Sequence, residues 1–261
     1  TAQIIADCYK ASGEPHPLAS RNVLKHIIKL YAEAGLRAEV APEVEFFLVH
    51  KNTDPDYELM PPKGRSGRRE VARMSFSIDA VAEFEDFVED MYDFADEQAL
   101  SVDTLIHENG AAQLEINFNH GDPLDMADQV FVFKRTVRET AQRHNMYATF
   151  MAKPMQKEPG SALHIHQSIL SLATGDNIFN GADDRPTPEL MHYIAGLQRY
   201  TPDLISFYAP NVNSYRRLAP DISAPINLSW GYDNRTTAFR VPDSTPINRR
   251  VENRFPGADA N

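Results

Sequence analysis

Four stretches of this chain alternate between apolar residues and residues that can do chemistry. In PEVEFFLVH, Glu43 and Glu45 share one face with Phe47, while Val44, Phe46 and Leu48 share the other. In AAQLEINF, Gln113, Glu115 and Asn117 oppose Leu114, Ile116 and Phe118. In ALHIHQSI, His164 and His166 oppose Leu163, Ile165 and Ile169, and in RRVENRF, Arg250, Glu252 and Arg254 oppose Val251. A period of two places alternate side chains on opposite faces of a strand. Such a chain has to build a sheet with one face in a core and the other carrying acids, imidazoles and guanidiniums.

The remaining patterns supply helices to cover the apolar face. PLASRNVLKHIIKLYAEAG reads as a helix capped by Ser20 and ended by Gly35, with Leu24, Ile27, Ile28 and Tyr31 as its stripe. Further helical spacing runs over Ala80–Ala99, Leu124–Asn145 and Pro188–Phe207. Strands are expected at residues 37–50, 102–106, 112–118, 147–151 and 162–170, with short strands after Ala224. Several connections are too short for crossovers, which predicts an α+β fold with a largely antiparallel sheet. No linker, repeat or low-complexity run divides residues 1–261, so one domain is expected. GxGxxG and GxxxxGK[ST] are both absent from the sequence.

Charge excludes some partners and points to others. Lys and Arg number 26 against 37 Asp and Glu, a net charge of −11, which argues against nucleic-acid or anionic-membrane binding. No run of the sequence approaches the length of a membrane span. A single cysteine, Cys8, fits a reducing cytoplasm. After Lys157 there is no lysine, yet residues 209–261 hold seven arginines. Arginine without lysine suits bidentate recognition of carboxylate or phosphate.

A merely solvated sheet face would carry Lys, Thr and Gln. Clustered glutamate without lysine needs a cation to offset its repulsion, and Mg²⁺ or Mn²⁺ take carboxylate oxygens, Mn²⁺ also imidazole. Arginines cannot ligate metals. Beside acid-held ions they point to phosphoryl transfer. A metal-dependent hydrolase also suits the acids and histidines, but leaves the arginine series without a role. The serines lack a GxSxG elbow.

Six motifs then carry a resemblance: PEVEFF, HENGAAQLEINF, KPMQKEPGSALHIHQS, NVNSYRRLAP, NRTTAFRVP and RRVENRFPGADAN, in this order. The chain resembles the catalytic domain of the glutamine synthetase family, in flavour the γ-glutamylpolyamine and γ-glutamylamine synthetase branch. The resemblance implies a curved, mainly antiparallel sheet with helices outside. It implies an ATP-dependent ligase that makes γ-glutamyl phosphate and then an amide. It also implies a cytoplasmic, ring-shaped homo-oligomer whose N-terminal β-grasp domain and C-terminal helices lie outside this sequence.

Residue by residue, the resemblance implies two or more Mg²⁺ or Mn²⁺ ions. Glu45, Glu108 and Glu115 would hold one near the glutamate and amine site. Glu43, His164 and Glu252 would hold another at the ATP phosphates. His166, Ser168, Arg240 and Arg250 would lie along the nucleotide. Gly160, Arg217 and Arg254 would hold glutamate, and Arg235 would neutralise the transferring phosphoryl group. Arg235 and Arg217 would be the catalytic arginines. Ser223 stands in DISAP where the family carries a glutamate in a pattern like YEAP. That implies a primary amine or polyamine as acceptor; the alternatives are strict ammonia use and a non-catalytic structural or regulatory member. Asp221 is near enough in sequence to stand in. Pro159 and Ala112 also depart from the family's usual asparagine and glycine.

Overall fold

A computed structural model describes residues 3–71, 73–181, 183, 185–220 and 224–261. Its elements run α1 (Ser20–Glu33), β1 (Leu36–His50), α2 (Ile78–Ala82), α3 (Glu85–Glu97), β2 (Val102–His107), β3 (Gln113–Phe118) and α4 (Pro123–Arg143). They continue β4 (Met146–Thr149), β5 (Leu163–Ser171), α5 (Pro188–Tyr208), α6 (Val212–Tyr215), β6 (Trp230–Tyr232), β7 (Phe239–Val241) and β8 (Val251–Asn253). Seven strands form an open sheet in the order β2-β3-β1-β5-β8-β7-β6, and β4 also pairs with β1. Every pairing is antiparallel except β6 with β7, which is parallel.

The long strand β1 organises the sheet. One edge pairs with β3 over residues 43–47. The other edge pairs with β5 over residues 36–44 and then with β4 over residues 47–50. Thus β5 and β4 lie end to end along a single edge. Alternation works as expected: Val44, Phe46 and Leu48 enter the main core, while Phe47 and Val49 form a smaller cluster with Met155 on the other face.

Helices cover the apolar face. Phe46 is fully buried, with its ring centroid 6.4 Å from that of Phe87 in α3 and 6.5 Å from that of Phe133 in α4. Edge-on aromatic packing of this kind adds to the gain from area burial. Leu190 and Ile194 of α5 pack over Ile169, Phe239 and Val251, so α5 covers the β5–β8–β7 half.

Two local expectations are corrected. The helix expected over Ala80–Ala99 is broken in two. The Glu83 carbonyl accepts from Arg65 N–H, which draws that peptide out of the helical ladder, and Phe84 turns into the core. Ser20 is the first residue of α1 and makes no capping bond; Ala19 occupies the cap. The short strands expected after Ala224 are present, three residues each. Gly35 does end α1, at φ +74°, which glycine adopts without strain. Among the described residues, no helix is long and apolar enough to cross a membrane.

Candidate active site

Ladder register brings the chemical residues together. Glu45 of β1 pairs directly with Glu115 of β3, and Glu43 pairs with Asn117 on one side and His164 on the other. His166 pairs with Glu252 of β8, and Glu252 with Arg240 of β7. Directly paired residues point to the same face. The polar face therefore carries a continuous row from Glu115 across Glu45 and Glu43 to the imidazoles, then Glu252 and Arg240. Glu108 joins from the turn after β2, where its N–H donates to the Gln113 carbonyl (2.8 Å).

Three groups gather ligand atoms within 4.8 Å of one another: Glu45, Glu108 and Glu115; Glu43, Glu115 and His164; and Glu43, His166 and Glu252. The first is the triad expected from sequence. The expected set Glu43, His164 and Glu252 is spread over the other two, with His164 Nδ1 at 3.2 Å from Glu43 and 3.5 Å from Glu252. Two imidazoles thus reach one acid pair, and Arg250 fixes the tautomer of His166. Its Nε donates to His166 Nδ1 (3.0 Å), so the His166 proton sits on Nε2, 2.7 Å from Glu43. A metal at Nε2 would have to displace that proton.

The electrostatics ask for a cation. Burial, aided by the Glu108 charge, pushes the Glu45 carboxyl up to about 8. Burial also raises Glu108, and burial with four neighbouring glutamates raises Glu115 well above the ordinary range. Three carboxyls this close cannot all ionise in a desolvated wall without a compensating charge. Hard divalent ions supply it, and the all-oxygen donor set suits Mg²⁺ or Mn²⁺. Burial alone would raise Glu43 too, but hydrogen bonds from His164 and His166 outweigh it and hold the carboxyl low. Burial likewise opposes ionisation of Glu252, and His164, Arg254, His166 and Arg240 together overcome it.

These groups line a cavity of about 970 Å³. Every metal-site and arginine candidate named from sequence lies on its wall except Glu252, which is fully buried just behind it. Glu252 accepts from Arg254 Nη1 and lies 2.9 Å from Arg240 Nη1. Arg217 is 3% exposed, its guanidinium fixed by the carbonyls of Phe255 and Arg254, each at 2.8 Å. Gly160 also lines the cavity and tolerates no side chain: a Cβ there would sit 2.6 Å from both the Ala152 oxygen and Arg217 Cγ. Arg235 is exposed at the wall, and Ser168, opposite Glu39, lies further along β5 and outside the lining. Ser223 and Asp221 lie outside the described residues.

Several participants had no assigned role in the sequence. Gln113 Nε2 donates to Glu45 (3.3 Å) and to the Gly160 carbonyl (3.0 Å), joining the acid triad to the glycine loop. Its place on the Glu115 face was the available signal. Glu70 accepts from His107 Nε2 (2.9 Å) and from Ala112 N–H (2.8 Å), which fixes the turn carrying Glu108. Glu70 sits in an irregular loop, where no periodicity points to it.

Comparison with known proteins agrees with this geometry. Residues 17–261 match the family model for the glutamine synthetase catalytic domain. The chain is 37% identical over 262 residues to the γ-glutamylputrescine synthetase PuuA of Escherichia coli (strain K12), covering 99% of this chain and 55% of that protein. It is 35% identical over 260 residues to a glutamine synthetase of Pyrococcus abyssi (strain GE5 / Orsay), covering 100% and 56%. Its fold matches a solved GmaS/ADP complex with a TM-score of 0.80 and 30% identity, covering 95% of this chain and 56% of that one. The chain spans little more than half the length of the curated relatives it matches. Family model, relatives and fold agree over nearly every residue: this chain belongs to the glutamine synthetase family.

Proposed function

We propose that the protein containing this chain is an ATP-dependent ligase that joins the γ-carboxylate of glutamate to ammonia or a primary amine. The observation that carries the reading is the single cavity in which the Glu45–Glu108–Glu115 triad faces Arg217, Arg235, Arg240 and Arg250. In the first step a glutamate γ-oxygen attacks the ATP γ-phosphorus, and ADP leaves with the electron pair of the broken P–O bond. In the second, the amine nitrogen attacks the acyl carbon and phosphate departs. The surplus proton on nitrogen goes to water or to a carboxylate of the cavity.

Each step has residues suited to it. Glu45, Glu108 and Glu115 would hold one divalent ion, and Glu43, His164 and Glu252 another. Bound there, Mg²⁺ or Mn²⁺ supplies positive charge that offsets the repulsion between a carboxylate and a polyphosphate. Arg217, Arg254 and Gly160 would seat glutamate. Arg240, Arg250, His166 and Ser168 would run along the nucleotide, and Arg235 would meet the transferring phosphoryl group. Sequence at Ser223 favours a primary amine or polyamine over ammonia, because the carboxylate that would receive an ammonium proton is absent there. We further propose a cytoplasmic, ring-shaped homo-oligomer in which this chain forms the catalytic domain.

The test is purified full-length protein with ATP, Mg²⁺ and glutamate, offered ammonia, methylamine, putrescine or ethanolamine. Glutamate-dependent phosphate release with at least one acceptor is expected. Its absence with all four sinks the ligase reading.

A further inference from the structure

The acidic end of the cavity has an unexpected apolar rim. Phe76 lines it with a side chain 65% exposed and a backbone φ of +61°. A bulky L-residue rarely adopts that left-handed conformation, and it persists only when its surroundings enforce it. They do so here. Phe76 N–H donates to the His107 carbonyl (2.8 Å), Ser77 N–H donates to the Met74 carbonyl (2.9 Å), and Ser75 Oγ donates to Asn109 Oδ1 (2.6 Å). Both anchors outside the turn flank Glu108. The turn therefore holds an aromatic ring out of the core and beside the acid triad.

Ile106 extends the same rim. It pairs directly with Glu115 across the β2–β3 ladder, so its side chain points to the site face and lines the cavity. An exposed phenyl ring offers the acid triad no ligand atom, and ammonia as acceptor has no carbon to lay against it. An exposed phenyl ring and a half-buried isoleucine beside the triad do suit an alkyl group delivered there by the second substrate.

We propose that Phe76 and Ile106 form an apolar subsite that selects a primary amine bearing an uncharged alkyl chain over ammonia. The proposal rests on the ligase reading above and names the substrate class of that same site. The amino group reaches the acyl carbon beside Glu45, Glu108 and Glu115, and the chain lies back over Phe76 and Ile106. Burial of each added methylene improves binding about fourfold until the wall is covered. Pocket discrimination of this type acts on the acceptor and not on glutamate or ATP.

The experiment measures kcat/KM for ammonia, methylamine, ethylamine, propylamine and butylamine with full-length protein, ATP, Mg²⁺ and glutamate. The wild type is expected to climb along the series by about fourfold per carbon. Phe76→Ala and Ile106→Ala should each flatten that slope and lower the butylamine-to-ammonia ratio by about tenfold. Phe76→Leu, which keeps an apolar side chain, should restore part of it. A wild type that prefers ammonia to every alkylamine overturns the subsite while leaving the ligase reading intact. So does a slope that neither alanine variant changes. If no acceptor supports glutamate-dependent ADP release, the ligase reading itself fails and the subsite falls with it.

Discussion

Glu45 and Glu115 stand directly opposite each other on β1 and β3, two carboxyls paired across a ladder in a buried wall. Like charges in that relation are destabilising unless protonated or bridged by a cation. With no ion, the fold keeps Glu45 protonated up to about pH 8, against an ordinary value of 4.5. The unfolded chain releases that proton from about 4.5 upward, so folding binds a proton between those values. Stability from this group is therefore fully present below pH 4.5 and falls as pH rises toward 8. A divalent ion displaces the proton, so its affinity rises over the same window. Thermal melts with and without Mn²⁺ at pH 5.5 and 8.5 should show the larger metal-induced rise in Tm at 8.5. Equal increments at both values would contradict the role given to the triad.

Glu252 has a structural as well as a chemical part. It is fully buried and takes hydrogen bonds or charge from Arg240, Arg254 and His164. Glu252→Ala strands two cations in the interior and should cost about 3–5 kcal/mol of stability. Glu252→Gln keeps the shape and acceptor oxygen but drops the charge. It should fold, retain more than half of the Glu252→Ala loss, and bind Mn²⁺ at least tenfold more weakly by calorimetry. Unchanged Mn²⁺ affinity in Glu252→Gln argues against a ligand role.

Gly160→Ala is expected to act on one substrate. Its Cβ would meet a backbone oxygen and Arg217 Cγ, each at 2.6 Å, and the carbonyl cannot swing away as a side-chain tip can. The strain should cost about 1–3 kcal/mol and move the Arg217 guanidinium. KM for glutamate should rise about tenfold or more, with KM for ATP little changed. An equal rise in both would place Gly160 in a general structural role.

Gln113→Leu separates a link from its ends. Its amide joins Glu45 to the Gly160 carbonyl and accepts from Gly110 N–H (2.9 Å). Leucine leaves these groups unpaired, at a cost of about 1–3 kcal/mol. Mn²⁺ binding and glutamate KM should worsen together, because one side chain positions both subsites. Loss of only one of them would refute the coupling.

The ladders explain why so much of the site was legible in the sequence. A period of two fixes the face of Glu43, Glu45, Glu115, His164, His166 and Glu252 without knowledge of strand order. What it cannot fix is which imidazole reaches which acid, because that depends on registers between strands far apart in sequence. His166 appeared there as a nucleotide residue, and the structure adds its bonds to Glu43 and Arg250. The break at Glu83 was hidden because it comes from Arg65, a loop residue distant in sequence. Glu70 and Phe76 were hidden for the same reason. Loop residues have no period, and their placement depends on partners such as His107.

The end-to-end arrangement of β4 and β5 has one more consequence. β4 leaves β1 at the Phe47–Thr149 pair, and β5 rejoins it at the Val44–Leu163 pair, so the intervening segment starts and finishes on almost the same spot of one strand. That segment contains Gly160. Its two feet are stapled to the ladder, and its length is under no constraint from strand register. Lengthening or shortening it would reshape the proposed glutamate seat without changing the register of the strands that carry the carboxylates. A lineage with this architecture can revise its substrate seat by editing a single excursion of the chain, with the strand ladder beneath it unchanged and Gln113 as the one link that must be kept.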